Sequence, residues 1–183
     1  MANLEKSLVM NSNNQDILVR FYLGLSPDTE GRKIEDIWQW GHDRLEYTHD
    51  YIQWLFPMVE KSNFNRNAPT LNPSVIETFI NTPELQQRLG QSLLLMLNFY
   101  GLKLESQPSQ WIKIIKGENY KQRKKNWIGW RDHNYLRLTR ILTSLRLLGL
   151  ENEAKALFQC LDEIYQEEKD KIGSETYSYW KNA

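Results

Sequence analysis

Residues 49–57 read HDYIQWLFP, a histidine and an aspartate side by side in a run that is otherwise apolar or aromatic. An imidazole titrates near neutral pH, and a neighbouring carboxylate can orient it or hold a cation. Further along, His133, Arg137, Arg140 and Ser144 recur at helical spacing. The two guanidinium forks there suit a carboxylate or a phosphate. The start of that helix, beside Arg131 and His133, also favours an anion through its free N–H groups and dipole. Brought together, His49, Asp50, Trp54, His133, Arg137 and Arg140 would make a ligand site with an aromatic wall and cationic anchors. Against this stands the ordinary role of a lone histidine on an apolar stripe, a hydrogen-bonded core group. A pairing of His49 with His133, or of Asp50 with an arginine such as Arg137, could equally be an acid–base site or a structural lock. Nothing in the sequence chooses between them.

Other chemistries find little support. The remaining histidine, His42, shares a helix face with His49 only if the intervening residues form one continuous helix. There is no HExxH, CxxC, GxSxG, Walker-type or GxGxxG motif, and only nine glycines are present. No metal, cofactor or catalytic residue is therefore expected. Cys160 is the single cysteine, so no internal disulfide can form, and a reducing, cytoplasmic setting is expected. Its place in an amphipathic segment reads as a buried thiol.

The 23 basic and 23 acidic residues cancel, which gives no global reason to expect nucleic acid or a membrane surface as partner. The distribution is uneven. Residues 113–146 hold ten Lys or Arg against Glu118 and Asp132, and the rest of the chain is correspondingly acidic. A basic patch of Lys121, Arg123, Lys124, Lys125 and Arg131, near Tyr120, Trp127 and Trp130, could bind nucleic acid by stacking and charge. It could equally be neutralised by the acidic segment after Leu150. No apolar run approaches the roughly 20 residues needed to span a bilayer, and Leu8-Val9-Met10 is too short for a signal-peptide core.

The elements that must position these residues read as helices almost throughout, with strand-like alternation nearly absent. Residues 1–15 are expected to be a flexible N-terminus. Asp16–Leu23 forms a short helix, and Ile34 begins a Trp-rich one interrupted near Gly41. Asp43–Phe56 is expected as one central buried helix ended by Pro57, with Tyr47, Tyr51, Trp54 and Met58 as an apolar stripe. Asn72-Pro73 and Thr82-Pro83 each read as a cap followed by Pro at the first helical position. The second opens the longest apolar helix, which Gly101 ends. Gly90, inside it, implies close packing against a neighbour. Residues 105–118 read as a connector with short helical content around Trp111, and Tyr120–Trp127 as a short basic helix. His133–Leu148 and Glu151–Asp170 are amphipathic helices, and 171–183 is a C-terminal tail. The expected fold is all-α, a single globular bundle of about seven helices over residues 16–170.

Several segments together resemble one family. HDYIQWLFP, RFYLG at 20–24, the stretch around Trp38 and Trp40, LMLNFYGLKL at 95–104, NYKQRKKNW at 119–127 and HNYLRLTRILTSLRLLGLE at 133–151 are similar, in order, to the conserved domain of the opioid growth factor receptor family. The resemblance covers about residues 18–165 and identifies the chain as a stand-alone form of that domain. It implies an intracellular binding module, since family members are described as nucleus-associated receptors for the enkephalin pentapeptide that restrain cell growth. No catalytic residues come with it. The expected partner is a peptide or another small anionic ligand, or a protein. The alternatives are an enzyme using the His/Asp/Arg groups and nucleic-acid binding through 113–146.

Overall fold

The structure, a computed structural model, describes residues 16–106 and 112–183. Ten α-helices form among them: α1 (Ile17–Tyr22), α2 (Ile34–Trp38), α3 (His42–Tyr47), α4 (Ile52–Leu55), α5 (Pro73–Asn81), α6 (Pro83–Tyr100), α7 (Tyr120–Arg123), α8 (Asn134–Leu147), α9 (Glu151–Ile172) and α10 (Ser174–Asn182). A two-stranded antiparallel sheet, β1 (Leu102–Ser106) and β2 (Ile112–Lys116), lies between α6 and α7. The fold is thus mostly α rather than all-α, with more and shorter helices than the periodicity implies.

The expected connector at 105–118 is this hairpin. In LKLES and IKIIK one face is apolar, and Leu102 and Ile114 are buried. Pairing runs from Leu102↔Lys116 to Ser106↔Ile112, and β2 packs on α9. Three isoleucines in β2 favour the pleated surface over a helix. Five residues are too short a window for alternation to stand out beside long helical repeats. Trp111 lies outside the described residues.

Of the two expected caps, Asn72 makes its side-chain hydrogen bond and Thr82 holds the N-cap position without one, while Asp16, expected inside its helix, caps it. Asp16 accepts from Leu18 N at 2.8 Å, and Asn72 accepts from Val75 N at 3.0 Å with Pro73 next. In α6 the stripe Leu85, Leu89, Leu93, Met96 and Tyr100 is fully buried, and α1, α2 and α5 pack around this helix. In α8 the stripe Tyr135, Leu138, Ile141, Leu142, Leu145 and Leu148 is buried, with α9 and α10 packed against the helix. Cys160 is buried in α9, which pushes its thiol up to about 12. Residues 174–182 are helical, and Trp180 is fully buried edge-on to Tyr135, its Nε1 donating to Tyr135 O at 3.2 Å. No helix among the described residues is long and apolar enough to cross a membrane.

Two segments that sequence reading keeps separate are joined at the end of α6. Gly101 takes φ 77°. Its neighbours' carbonyls accept from the region that follows: Arg123 Nε donates to Phe99 O at 2.8 Å, and Trp127 Nε1 donates to Tyr100 O at 3.0 Å. A Cβ on Gly101 would stand 2.8 Å from Tyr120 Cα. Gly90 is different, because a Cβ there would meet nothing within 4 Å. The expected close packing at Gly90 is absent. Gly90→Ala should therefore raise unfolding stability by about 0.5–1 kcal/mol through helix propensity. Gly101→Ala should lower it by more than about 1 kcal/mol through left-handed strain and overlap. Urea unfolding midpoints that move together in one direction would refute the contrast.

Candidate functional site

The expected single helix over Asp43–Phe56 is two. α3 stops at Tyr47, Thr48 is extended, and α4 starts again at Ile52. Helix ends leave carbonyls without partners, and here one side chain from α8 supplies most of the donors, with Tyr51 OH also donating to Leu45 O at 3.1 Å. Arg137 Nη1 donates to Leu45 O at 3.0 Å and to Asn134 Oδ1 at 3.2 Å; Nη2 donates to Glu46 O at 3.2 Å and Thr48 O at 2.8 Å. Nη2 also meets His49 Nδ1 at 3.2 Å. Arg137 is 5% exposed and lies over the Tyr51 ring at 5.6 Å. Its guanidinium is thus spent on the chain's own backbone, and the predicted anion clamp of Arg137 with Arg140 does not form. Ser144, expected on the same open face, is fully buried.

Breaking the helix redirects the residues around it. Tyr47 points out and is exposed, whereas Tyr51 is buried. Trp54 is fully buried in the core, its ring 5.0 Å from Phe21, and lines no groove. Asp50 also turns away, pairing with Arg32 Nη1 at 2.8 Å rather than with Arg137, while Asn65 Nδ2 donates to its carbonyl at 3.0 Å.

His49, His133, Arg137 and Arg140 do come together, on a groove of about 620 Å³. One wall is the α8 face bearing His133, Leu136 and Arg140; the other is the segment from Met58 to Phe64, with Ile52 beneath. Leu136 and Phe64 are 55% and 77% exposed. The His49 and His133 rings meet edge to face at 5.2 Å. Burial, then Arg137 and His133, lower the His49 pKa from 6.5, with Glu46 and Asp50 opposing. His133 Nε2 lies 3.4 Å from Glu46 Oε1, and its Nδ1 lies 3.8 Å from Asp132 Oδ1. Arg140 Nη1 donates to Phe56 O at 3.1 Å, and the residue has no ion pair among the described residues. Burial lowers its pKa, and Glu60 opposes that at longer range.

Phe64 and Leu136 were not anticipated, and Met58 was expected only on the apolar stripe of the central helix. Phe64 is the one aromatic in the Asn-rich loop KSNFNRNAPTLN, and Leu136 falls off the core stripe of its helix. Each was a signal available in the sequence. A smaller cavity of about 160 Å³ lies near Trp40, His42, Leu45 and Asn98. Burial and then Arg123 lower the His42 pKa. No group of three or more His, Cys, Asp or Glu among the described residues is placed to hold a metal.

The basic patch is divided. Arg123 is held against Phe99, and Lys124 pairs with Glu168, next to the kink that α9 makes at that residue. Lys116 pairs with Glu167. Tyr120 and Trp127 are buried, leaving Lys121, Lys125, Arg131 and the 78%-exposed Trp130 at the surface.

Residues 11–183 match the family described as the opioid growth factor receptor (OGFr) conserved region. The chain is 44% identical over 122 residues to a human protein named opioid growth factor receptor, covering 65% of this chain and 17% of that one. It is 36% identical over 147 residues to opioid growth factor receptor-like protein 1 of Xenopus tropicalis, covering 78% and 28%. Over 138 residues it is 36% identical to the mouse protein of that second name, covering 73% and 29%. The chain thus spans less than a third of the length of these relatives. No solved structure matches it.

Arg137→Lys should cost about 3 kcal/mol or more, because an ammonium cannot reach a fan of carbonyls from one fork and charged hydrogen bonds contribute about 1.5–3 kcal/mol each. Arg140→Gln should cost about 1 kcal/mol, the loss of one such contact near the surface. Equal losses in chemical unfolding would contradict the assignment. Lys124 and Lys171 hold the Glu168 carboxyl below its ordinary 4.5. The unfolded chain therefore binds that proton more readily, and the stability Glu168 gives above pH 4.5 is lost as pH falls through its lowered value. Glu168→Gln should flatten the acid limb of a stability–pH curve, and an unaltered limb would show that these links contribute nothing.

Proposed function

The chain belongs to the opioid growth factor receptor (OGFr) conserved-region family, and we propose that it is a binding module taking a peptide or another small anionic ligand in the groove between α8 and residues 48–64. One observation carries this. Arg140 is a partly buried cation with a single backbone hydrogen bond and no ion pair among the described residues, set beside exposed Leu136 and Phe64 in one concavity. Apolar walls with a few placed polar groups are what ligand grooves are made of. An unpaired, partly desolvated guanidinium gains from a carboxylate or phosphate. The relatives are named as receptors for an opioid growth factor, and a short peptide of that kind is the first ligand to try. The single buried thiol accords with a reducing, cytoplasmic setting.

An enzymatic reading rests on the His49–His133 contact. It lacks a nucleophile, because neither ring hydrogen-bonds to a hydroxyl or thiol among the described residues. A nucleic-acid reading rests on Trp130 with Lys121, Lys125 and Arg131, and weakens with the engagement of Lys124 and Arg123.

A panel of short acidic peptides, together with the opioid growth factor, should produce binders by calorimetry. Arg140→Gln and Leu136→Glu should each weaken such a binder by about tenfold or more, the loss expected for a charged anchor or a groove wall (about 1.4 kcal/mol per tenfold). Thermal unfolding should show both variants folded. Unchanged affinity in both would remove the groove as the site.

A further inference from the structure

The groove's second polar group is the imidazole pair. Arg137 carries only N–H groups, so His49 Nδ1 can join the contact only as an acceptor, sharing an Nη2 hydrogen already given to Glu46 O or Thr48 O, and a ring that does so keeps its proton on Nε2. That leaves Nε2–H as the remaining donor of an exposed residue lining the groove. Charging the ring would place a second donor on Nδ1, facing Arg137, and break the contact.

Within the chain, Glu46 and Asp50 favour such a charge, but burial, Arg137 and His133 outweigh them. From α3, Glu46 is turned to His133 and to Asn134 Nδ2. From the turn before α8, Asp132 lies by His133 and caps Asn134 N. Asp50 belongs to Arg32. From the opposite wall come one acid and one base, Glu60 and Lys61. From α8 and its N-cap come His133, Arg137 and Arg140, all cations or potential cations. The side of the groove that His49 faces is therefore rich in cationic groups whose carboxylates are engaged elsewhere. An anion entering there changes the balance for the ring and for Arg140 at once.

We propose that His49 and Arg140 together form the anion subsite of this groove, and that an anion seated there draws a proton onto His49. The inference rests on the groove being a ligand site. The proton moves from solvent to Nδ1, the Arg137 contact opens, and the imidazolium pairs with the anion. A site that takes up a proton on binding gains affinity as pH falls. His133 is left out of the subsite because its Nε2 is turned to Glu46 and its Nδ1 to Asp132.

N-acetyl-L-phenylalanine and its amide are suitable probes, one ring for the apolar walls with and without a carboxylate. The acid should bind between about three and ten times more tightly at about pH 5.5 than at about pH 7.5, the range for a proton affinity shifted by up to one unit. Calorimetry in two buffers of different ionisation enthalpy should show net proton uptake. The amide should bind with no such dependence. His49→Gln should bind the acid equally at both pH values, His133→Gln should keep the dependence, and Arg140→Gln should weaken the acid but not the amide. If acid and amide bind alike at both pH values, the groove reading stands and the proton-linked subsite is overturned. If His133→Gln alone removes the dependence, His49 is the wrong ring. If neither probe binds, the groove reading fails and this inference with it.

Discussion

The interaction on which the rest depends is one guanidinium at one helix end. A chain that stops a helix under another element must find donors for the carbonyls it strands, since water cannot reach them all. Arg137 supplies those donors to Leu45, Glu46 and Thr48 from across the structure. Arginine suits the task because its planar fork offers several N–H groups at fixed angles. Its charge needs no carboxylate in contact, since carbonyl dipoles and the Tyr51 face share it.

The groove is a product of that arrangement. Had residues 43–56 stayed one helix, His49 would have sat on the face shared by Leu45 and Ile52. Ending α3 at Tyr47 lets the chain turn, places His49 at the surface, and sends Tyr51, Trp54, Leu55 and Phe56 inward as a compact apolar plug. Tyr22 OH donates to Leu55 O and Arg140 to Phe56 O, so the plug is pinned from two sides. The polar pair of HDYIQWLFP is split by the same turn: Asp50 stays with Arg32, and His49 goes to the groove.

What was legible in the sequence follows the range of the forces involved. The caps at Asn72 and the stop at Gly101 are local and were readable from neighbours alone. So were the core stripes of α6 and α8, which depend on spacing within one helix. The break at Thr48–Tyr51 was not readable, because its cause lies some 90 residues downstream in Arg137. The hairpin was missed for a related reason, as five-residue strands gain their stability from each other and from α9. Of the expected site residues near α8, His133 and Arg140 line the groove, whereas Arg137 and Ser144, expected on the same open face, are buried. Trp54 was misplaced because a buried aromatic and a pocket aromatic look the same in a sequence. The far wall, Met58 to Phe64, is a loop, and no period describes a loop.

The contact between Trp180 and Tyr135 has a bearing on how the chain comes to be folded during synthesis. Tyr135 opens the core stripe of α8, yet the indole that covers its ring and takes its carbonyl is translated 45 residues later. Until Trp180 leaves the ribosome, that end of α8 has every other neighbour but not its lid. A nascent chain paused there would be largely helical and would still show apolar surface. That surface is covered only when α10 closes over Tyr135.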